Sequence, residues 1–270
     1  MDIVTPTSFV ETTATVTAEQ VRAYSAATLQ AELGVEQNGA APALFAIGAL
    51  AGPALEQVRH RHLGDPAPTL IHVAQDVRVG TVPRIGDTIG IRARIRDVVD
   101  VGPAAALVLE VRAEAAGEAT TGSATVLMPE QPRVHRRSPR PPRAGQGALI
   151  AERVVELPAE LPARYADATD DRNPIHLDAA VARAAGLPGV VLHGMATYAI
   201  VWAAVRGALA DSGREIVGSR VRFARPVVPG HALRVRVLRT GEPGLLTVSV
   251  EQHGRQVLRD TYFTLDRPVD

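Results

Sequence analysis

The chain of 270 residues contains no cysteine, and all 29 of its basic side chains are arginine, so it has no lysine either. Without cysteine there is no disulfide, no thiolate metal site and no thiol nucleophile. Without lysine there is no Schiff base and no phosphate loop of the Walker-A kind. Neither sign of charge is in excess, since 29 acidic residues balance the arginines to a net charge of zero. Affinity for nucleic acid rests on surplus positive charge, so no nucleic-acid partner is expected. Gly-x-Ser-x-Gly and Gly-x-Gly-x-x-Gly do not occur, which removes the usual serine-hydrolase and dinucleotide signatures. No basic stretch leads into an apolar run after Met1-Asp2-Ile3, so a signal peptide is not expected. Two uncharged stretches, Gln37 to Leu55 and Ala184 to Val205, approach the ~20 residues of a membrane span. Pro42, Pro53, Gly186, Pro188, Gly189 and His193 interrupt them. Both are expected to be buried helices of a cytoplasmic protein with no membrane partner.

What is present divides the chain in two. Pro129 to Gly147 reads PEQPRVHRRSPRPPRAGQG, with five prolines, five arginines (Arg133, Arg136, Arg137, Arg140, Arg143) and no apolar period. Proline fixes φ and removes donors, so this segment is expected to be an extended, solvated linker. It separates residues 1–128 from residues 148–270. The two parts repeat each other. Val77-Arg78-Val79 and Gly86-Asp87-Thr88-Ile89 match Val221-Arg222-Phe223 and Gly230-His231-Ala232-Leu233 at a constant offset of 144. Leu107 to Leu127 resembles Leu245 to Leu265, and each reads as two alternating strands around a glycine, Gly117 or Gly254. Each half also opens on a similar phrase, YSAAT at Tyr24 and YADAT at Tyr165.

An uncharged helix followed by antiparallel strands, twice, implies an α+β architecture in which a sheet curls around a central helix. Alternation such as Leu233-Arg234-Val235-Arg236-Val237 gives each strand one apolar face for that helix. Joining the two halves edge to edge removes the open sheet edge that either would leave alone.

The repeat fails where chemistry is richest. After YADAT the second half continues Asp170-Asp171-Arg172-Asn173-Pro174-Ile175-His176-Leu177-Asp178, whereas the first half has only Leu29-Gln30-Ala31-Glu32-Leu33. Asp171, Asn173 and His176 supply a carboxylate, an amide and an imidazole within six residues. Pro174 makes a rigid loop of the segment. Asp178 can cap a short helix that Gly186 ends. The acidic and amide residues equally serve to cap and turn a chain, a reading that leaves His176 unexplained. Leu192-His193-Gly194-Met195 precedes the apolar helix through Trp202. A glycine there admits close backbone approach, and a free N–H at a helix start stabilises developing negative charge. His60-Arg61-His62 lacks a third ligand and reads as a solvated helix end.

The pattern Y-A-x-x-T-x-D-x-N-P-I-H-x-D, followed by A-G-L-P-G-V-V-L-H-G-M, resembles the hydratase-2 motif of the MaoC-like dehydratases, which are (R)-specific enoyl-thioester hydratases with the hotdog fold. The likeness is close from Tyr165 to about Tyr198 and extends loosely through RFARPVVPG, Arg222 to Gly230. The whole chain resembles the two-hotdog members, which implies a degenerate N-terminal hotdog (1–128), the linker (129–147) and a catalytic C-terminal hotdog (148–270). By position the resemblance makes Asp171 and His176 the catalytic pair, oriented by Asn173, with the Gly194 N–H on the thioester oxygen. Tyr165, His193, Met195 and Tyr198 are expected to border the substrate, His193 as a hydrogen-bonded structural residue rather than a base. The implied partner is an acyl-CoA or acyl-carrier-protein thioester, and neither a metal nor a redox cofactor is expected. The chain would act as a monomer of two fused hotdogs or as a homodimer. Two positions depart from the family pattern: Asp170 stands where glycine is usual, putting a second carboxylate beside the first, and Thr169 replaces the commoner serine. The alternatives to a hydro-lyase are a non-catalytic acyl-thioester-binding subunit or a hotdog thioesterase.

Overall fold

A computed structural model describes residues 6–35, 38–65, 70–100, 105–115, 117–128 and 147–267. The expected linker, with its five arginines, lies outside the described residues except for Gly147.

Ten strands form one sheet. In chain order they are β1 (Val10–Thr15), β2 (Ile71–Arg78), β3 (Thr88–Asp100), β4 (Ala105–Ala115), β5 (Glu118–Met128), β6 (Leu149–Val155), β7 (Ile216–Phe223), β8 (Leu233–Arg239), β9 (Leu245–Gln252) and β10 (Arg255–Leu265). Their order across the sheet is β1-β3-β4-β5-β2-β7-β10-β9-β8-β6, every pair antiparallel. The order reads as a mirrored list about the β2–β7 seam, with β1 answering β6, β3 answering β8, β4 answering β9 and β5 answering β10. The internal repeat of the sequence is thus a pseudo-twofold of the fold. At the seam Asp76 pairs in register with Arg220, and their side chains form an ion pair at 3.6 Å across the junction of the halves.

Local chemistry fixes the turns. The β9–β10 hairpin turns on His253 and Gly254, both at positive φ (52° and 70°). That geometry matches the right-handed twist of the flanking strands and suits glycine.

Five α-helices accompany the sheet among the described residues. α1 (Ala18–Ala27) starts at a capping box in which the Thr17 hydroxyl accepts the Gln20 N–H and the Gln20 side chain accepts the Thr17 N–H. α3 (Leu161–Thr169) starts with Pro162 in its first turn. α4 (Ala179–Ala184) is capped by Asp178, whose carboxylate accepts from Ala180 N and Val181 N at 2.7 and 3.2 Å. α5 (Gly194–Ala208) is the central helix of the second half, and every residue from Ala196 to Val205 is buried. Its first charge, Arg206, reaches solvent and pairs with Glu215 at 3.0 Å.

The first half departs from the expected uncharged helix. A π-turn at Ala46–Leu50 leads into α2 (Gly52–Leu63), so the helix runs past Leu55 into Arg59, His60, Arg61 and His62. Only Ala54, Val58 and Leu63 of α2 are buried. It is an amphipathic helix lying at the surface, and its charged residues mark the solvent face. His60 pairs with Glu56 at 3.0 Å in the last turns. No helix among the described residues is long and apolar enough to cross a membrane.

Candidate active site

The segments that carry the resemblance meet in space. α3 ends on Asp170, a left-handed residue (φ 58°, ψ 17°) whose N–H donates to Ala166 O at 2.8 Å. A helix C-terminus commonly demands this conformation, for which glycine is the strain-free choice, and that explains the residue usual at this position. The Asp170 carboxylate is not directed into the site. It is 91% exposed and joins Asp167 in holding Arg172, at 3.1 and 3.0 Å. Asn173 then caps a 3-10 turn, Pro174–His176, its side-chain oxygen accepting the Ile175 N–H at 3.4 Å.

The stretch Val191 to Gly194 runs alongside this loop. Val191 N–H donates to Ile175 O at 3.5 Å, and Leu192 N–H to Val227 O at 2.8 Å. The Val227 loop is itself held by buried Gln252, which accepts Val228 N–H at 2.8 Å and donates to Val228 O at 2.9 Å. The D-x-N-P-I-H, L-H-G-M and R-P-V-V-P-G phrases are therefore one construction.

Two histidines are fixed by main-chain carbonyls, which can only accept. His176 Nδ1–H donates to Val191 O at 2.8 Å, so in the neutral ring Nε2 is a free acceptor. His193 Nε2–H donates to the main-chain carbonyl of Asp171 at 2.9 Å, leaving a buried Nδ1 with no partner. The two rings stack at 3.8 Å with planes 28° apart, and Tyr165 packs on the other side of the pair, 4.9 Å from His193. Burial lowers the His176 pKa below its ordinary value, with the Val191 bond and the Asp171 charge working against it. Burial and the adjoining His176 bring His193 down to about 4. Both rings are neutral near pH 7. Asp171 itself is exposed, and its carboxylate accepts the Asn173 N–H at 3.4 Å. The carboxylate is left open to a ligand.

Gly194 opens α5 beside these groups. As the first helical residue its N–H has no acceptor within the helix. A Cβ at this position would lie 3.3 Å from the ring of Phe223, so glycine keeps the helix start clear. Among the other expected residues, Met195 is partly buried. Tyr165 and Tyr198 are buried, at 1% and 0% exposure. The Tyr165 hydroxyl is 3.5 Å from Gly48 O in the first half. The Tyr198 hydroxyl is hydrogen-bonded to Ser219 on β7. Two neighbours of these groups were not evident in the sequence: Val191, acting through its carbonyl, and Phe223 of β7, beside Gly194. His72 packs against Phe223 with ring centroids 4.8 Å apart. No group of three potential metal ligands occurs among the described residues.

Among solved structures, the MaoC-like dehydratase from Phytophthora capsici superposes with a TM-score of 0.80 at 16% identity, over 96% of this chain and 95% of that one. A conserved hypothetical protein of Mycobacterium tuberculosis, described as having a double hotdog fold, superposes at 0.64 with 13% identity over 98% and 97%. The fold is a double hotdog. Residues 144–257 match the family described as MaoC like domain, and this part of the chain belongs to that family. The enoyl-CoA hydratase ChsH3 of Mycobacterium tuberculosis is 31% identical over 183 residues, 64% of this chain and 62% of that relative. The match thus spans less than two thirds of the relative's length.

Proposed function

We propose that the chain adds water to trans-2-enoyl thioesters to give (3R)-hydroxyacyl thioesters, and catalyses the reverse dehydration. The C-terminal hotdog carries the chemistry, and residues 1–128 form a partner hotdog without catalytic groups. The observation that carries this reading is the placement of three unfilled groups on one construction: the open Asp171 carboxylate, the His176 Nε2 left free by the Val191 bond, and the N–H of the first residue of α5, Gly194. The match to the MaoC-like family and to a relative named enoyl-CoA hydratase supports the same reaction.

A water held between Asp171 and His176 donates a hydrogen bond to each. As its oxygen attacks the β-carbon, one proton passes to the pair and the alkene electrons move onto the thioester, forming an enolate. The Gly194 N–H stabilises the oxygen that becomes negative, helped by the helix start. The pair then returns the proton to the α-carbon on the face from which the water came, and both residues end as they began. Neutral imidazoles suit this cycle, because a protonated His176 has no lone pair for the water. Asn173 and His193 act on the site through main-chain positions, one capping the His176 turn and the other holding the Asp171 carbonyl. The substrate is an acyl-CoA or acyl-carrier-protein thioester acting in fatty acid metabolism, and a cytoplasmic setting suits a chain with no need of oxidising conditions.

The test follows the ultraviolet absorbance of the conjugated enoyl thioester with trans-2-enoyl-CoA substrates of short, medium and long chain. Loss of absorbance with (3R)-hydroxyacyl product on chiral analysis is the expected result. Release of free CoA thiol without loss of the double bond would make the protein a thioesterase. Binding without turnover of CoA or carrier-protein substrates would make it a binding subunit.

A further inference from the structure

His72 lies on a strand of the first half, yet its ring packs against Phe223 of the second. In β2, Gln75 and Val77 are buried at 3% and 5% exposure, while Asp76 and Arg78 face outward. Strict alternation would place His72 outward with them. The pairing with β5 departs from alternation at one point: His72 is opposite Val126, Ala74 is opposite Thr125, and Val73 has no partner. One extra residue in a strand is a β-bulge, which re-aims the side chains beyond it. The bulge turns His72 to the same face as Val126, a core residue at 7% exposure.

On that face the imidazole meets Phe223 at 4.8 Å, the ring that also closes on Gly194. His72 Nε2–H donates to Ala74 O at 3.0 Å across the bulge, so the bulged backbone itself fixes the ring. Burial brings its pKa down to about 4, and among the charges it feels is that of Asp171.

Resting on the reading of the C-terminal half as an enoyl-thioester hydratase, we infer that His72 and Phe223 form the wall of the acyl site beside Gly194, and that His72 sets which acyl groups fit. An uncharged ring suits this position, since a protonated imidazole would present charge to an acyl chain. His72 is a specificity-determining residue, with no part in the proton transfers.

The experiment has two arms. In the unaltered chain, the His72 ring resonances are followed by NMR, assigned by their absence from His72→Phe, during titration with (3R)-hydroxybutyryl-CoA and, separately, with CoA alone. A shift with the acyl thioester that CoA alone does not produce is expected; no difference between the two ligands overturns the inference. In the second arm, kcat/KM is measured for crotonyl-CoA and trans-2-hexenoyl-CoA. His72→Ala is expected to move the hexenoyl-to-crotonyl ratio at least about tenfold toward the longer chain, the scale of one or two methylenes in an apolar pocket. His72→Phe, which keeps the ring, stays within about threefold of the original ratio. A ratio unchanged in a folded His72→Ala protein overturns the inference. If the unaltered chain hydrates neither substrate, the proposed reaction fails, and the NMR arm still decides the wall.

Discussion

His176 and His193 stack ring on ring, 3.8 Å between centroids, each donating its one N–H to a main-chain carbonyl of the facing segment. The stack couples the two phrases of the motif. His193 fixes the backbone at Asp171, and its own ring supports the ring of His176. A second protonation beside the first would be opposed by like charge, so the arrangement favours two neutral rings.

Removing His193 should therefore weaken catalysis through placement. His193→Ala is expected to lower kcat by about 10- to 100-fold with a smaller change in KM. A stability loss of about 2–4 kcal/mol should accompany it, from the cavity and the unpaired Asp171 carbonyl. His193→Phe keeps the stack without the bond and should fall between. Steady-state kinetics with denaturant unfolding of the three proteins checks this.

The same neutral rings set a pH dependence. His72 and His193 are held down to about 4, and His176 is lowered too. The unfolded chain takes up their protons near 6.5. Between about pH 6.5 and 4.5 the unfolded state thus binds more protons than the folded one, and stability falls as pH falls. Each such ring contributes a slope of up to ~1.4 kcal/mol per pH unit. Urea unfolding across this window should show the decline, with a shallower slope in His193→Phe. Turnover should fall as pH drops below the ordinary histidine range and His176 gains a proton.

Asp170 tests the unusual carboxylate beside Asp171. Its side chain points to solvent and to Arg172, and its backbone is left-handed. Asp170→Gly should leave kcat and its pH profile within about twofold. Stability should hold or rise by about 0.5–1 kcal/mol, because glycine carries no Cβ penalty there and an exposed ion pair is worth little. A tenfold loss of turnover would show that the second carboxylate acts in the chemistry.

Gly194 faces Phe223 on one side and the open helix start on the other. Gly194→Ala places a methyl 3.3 Å from that ring and obstructs approach to the N–H. The expected result is a loss of at least about 100-fold in kcat, the scale of one oxyanion donor, from a protein that remains folded by circular dichroism.

Much of this was legible in the sequence because it depends on local pattern. The offset repeat between Val77 and Val221 translates directly into the mirrored sheet, and Asp178 caps α4 as its spacing with Gly186 implies. Asp171 and His176 were visible because the first half has nothing in their place. The first-half helix was legible only in part: the uncharged stretch up to Leu55 is largely buried and His60-Arg61-His62 does form a solvated helix end, but the π-turn and the amphipathic helix that joins the two were not. His72 was hidden for a different reason. Its facing depends on one unpaired residue, Val73, and a bulge is decided by the partner strand, which no alternation rule within β2 reports. Val191 was hidden because its contribution is a carbonyl, which every residue possesses.

The most direct test compares the unaltered chain with Asp171→Asn and His176→Gln in the enoyl-CoA absorbance assay, with thermal unfolding of each protein alongside. The expected result is hydration by the unaltered chain and a fall of at least about 1,000-fold in kcat/KM in each variant, with melting temperatures within a few degrees. Turnover within tenfold of the unaltered chain in both folded variants would contradict the assignment of this pair.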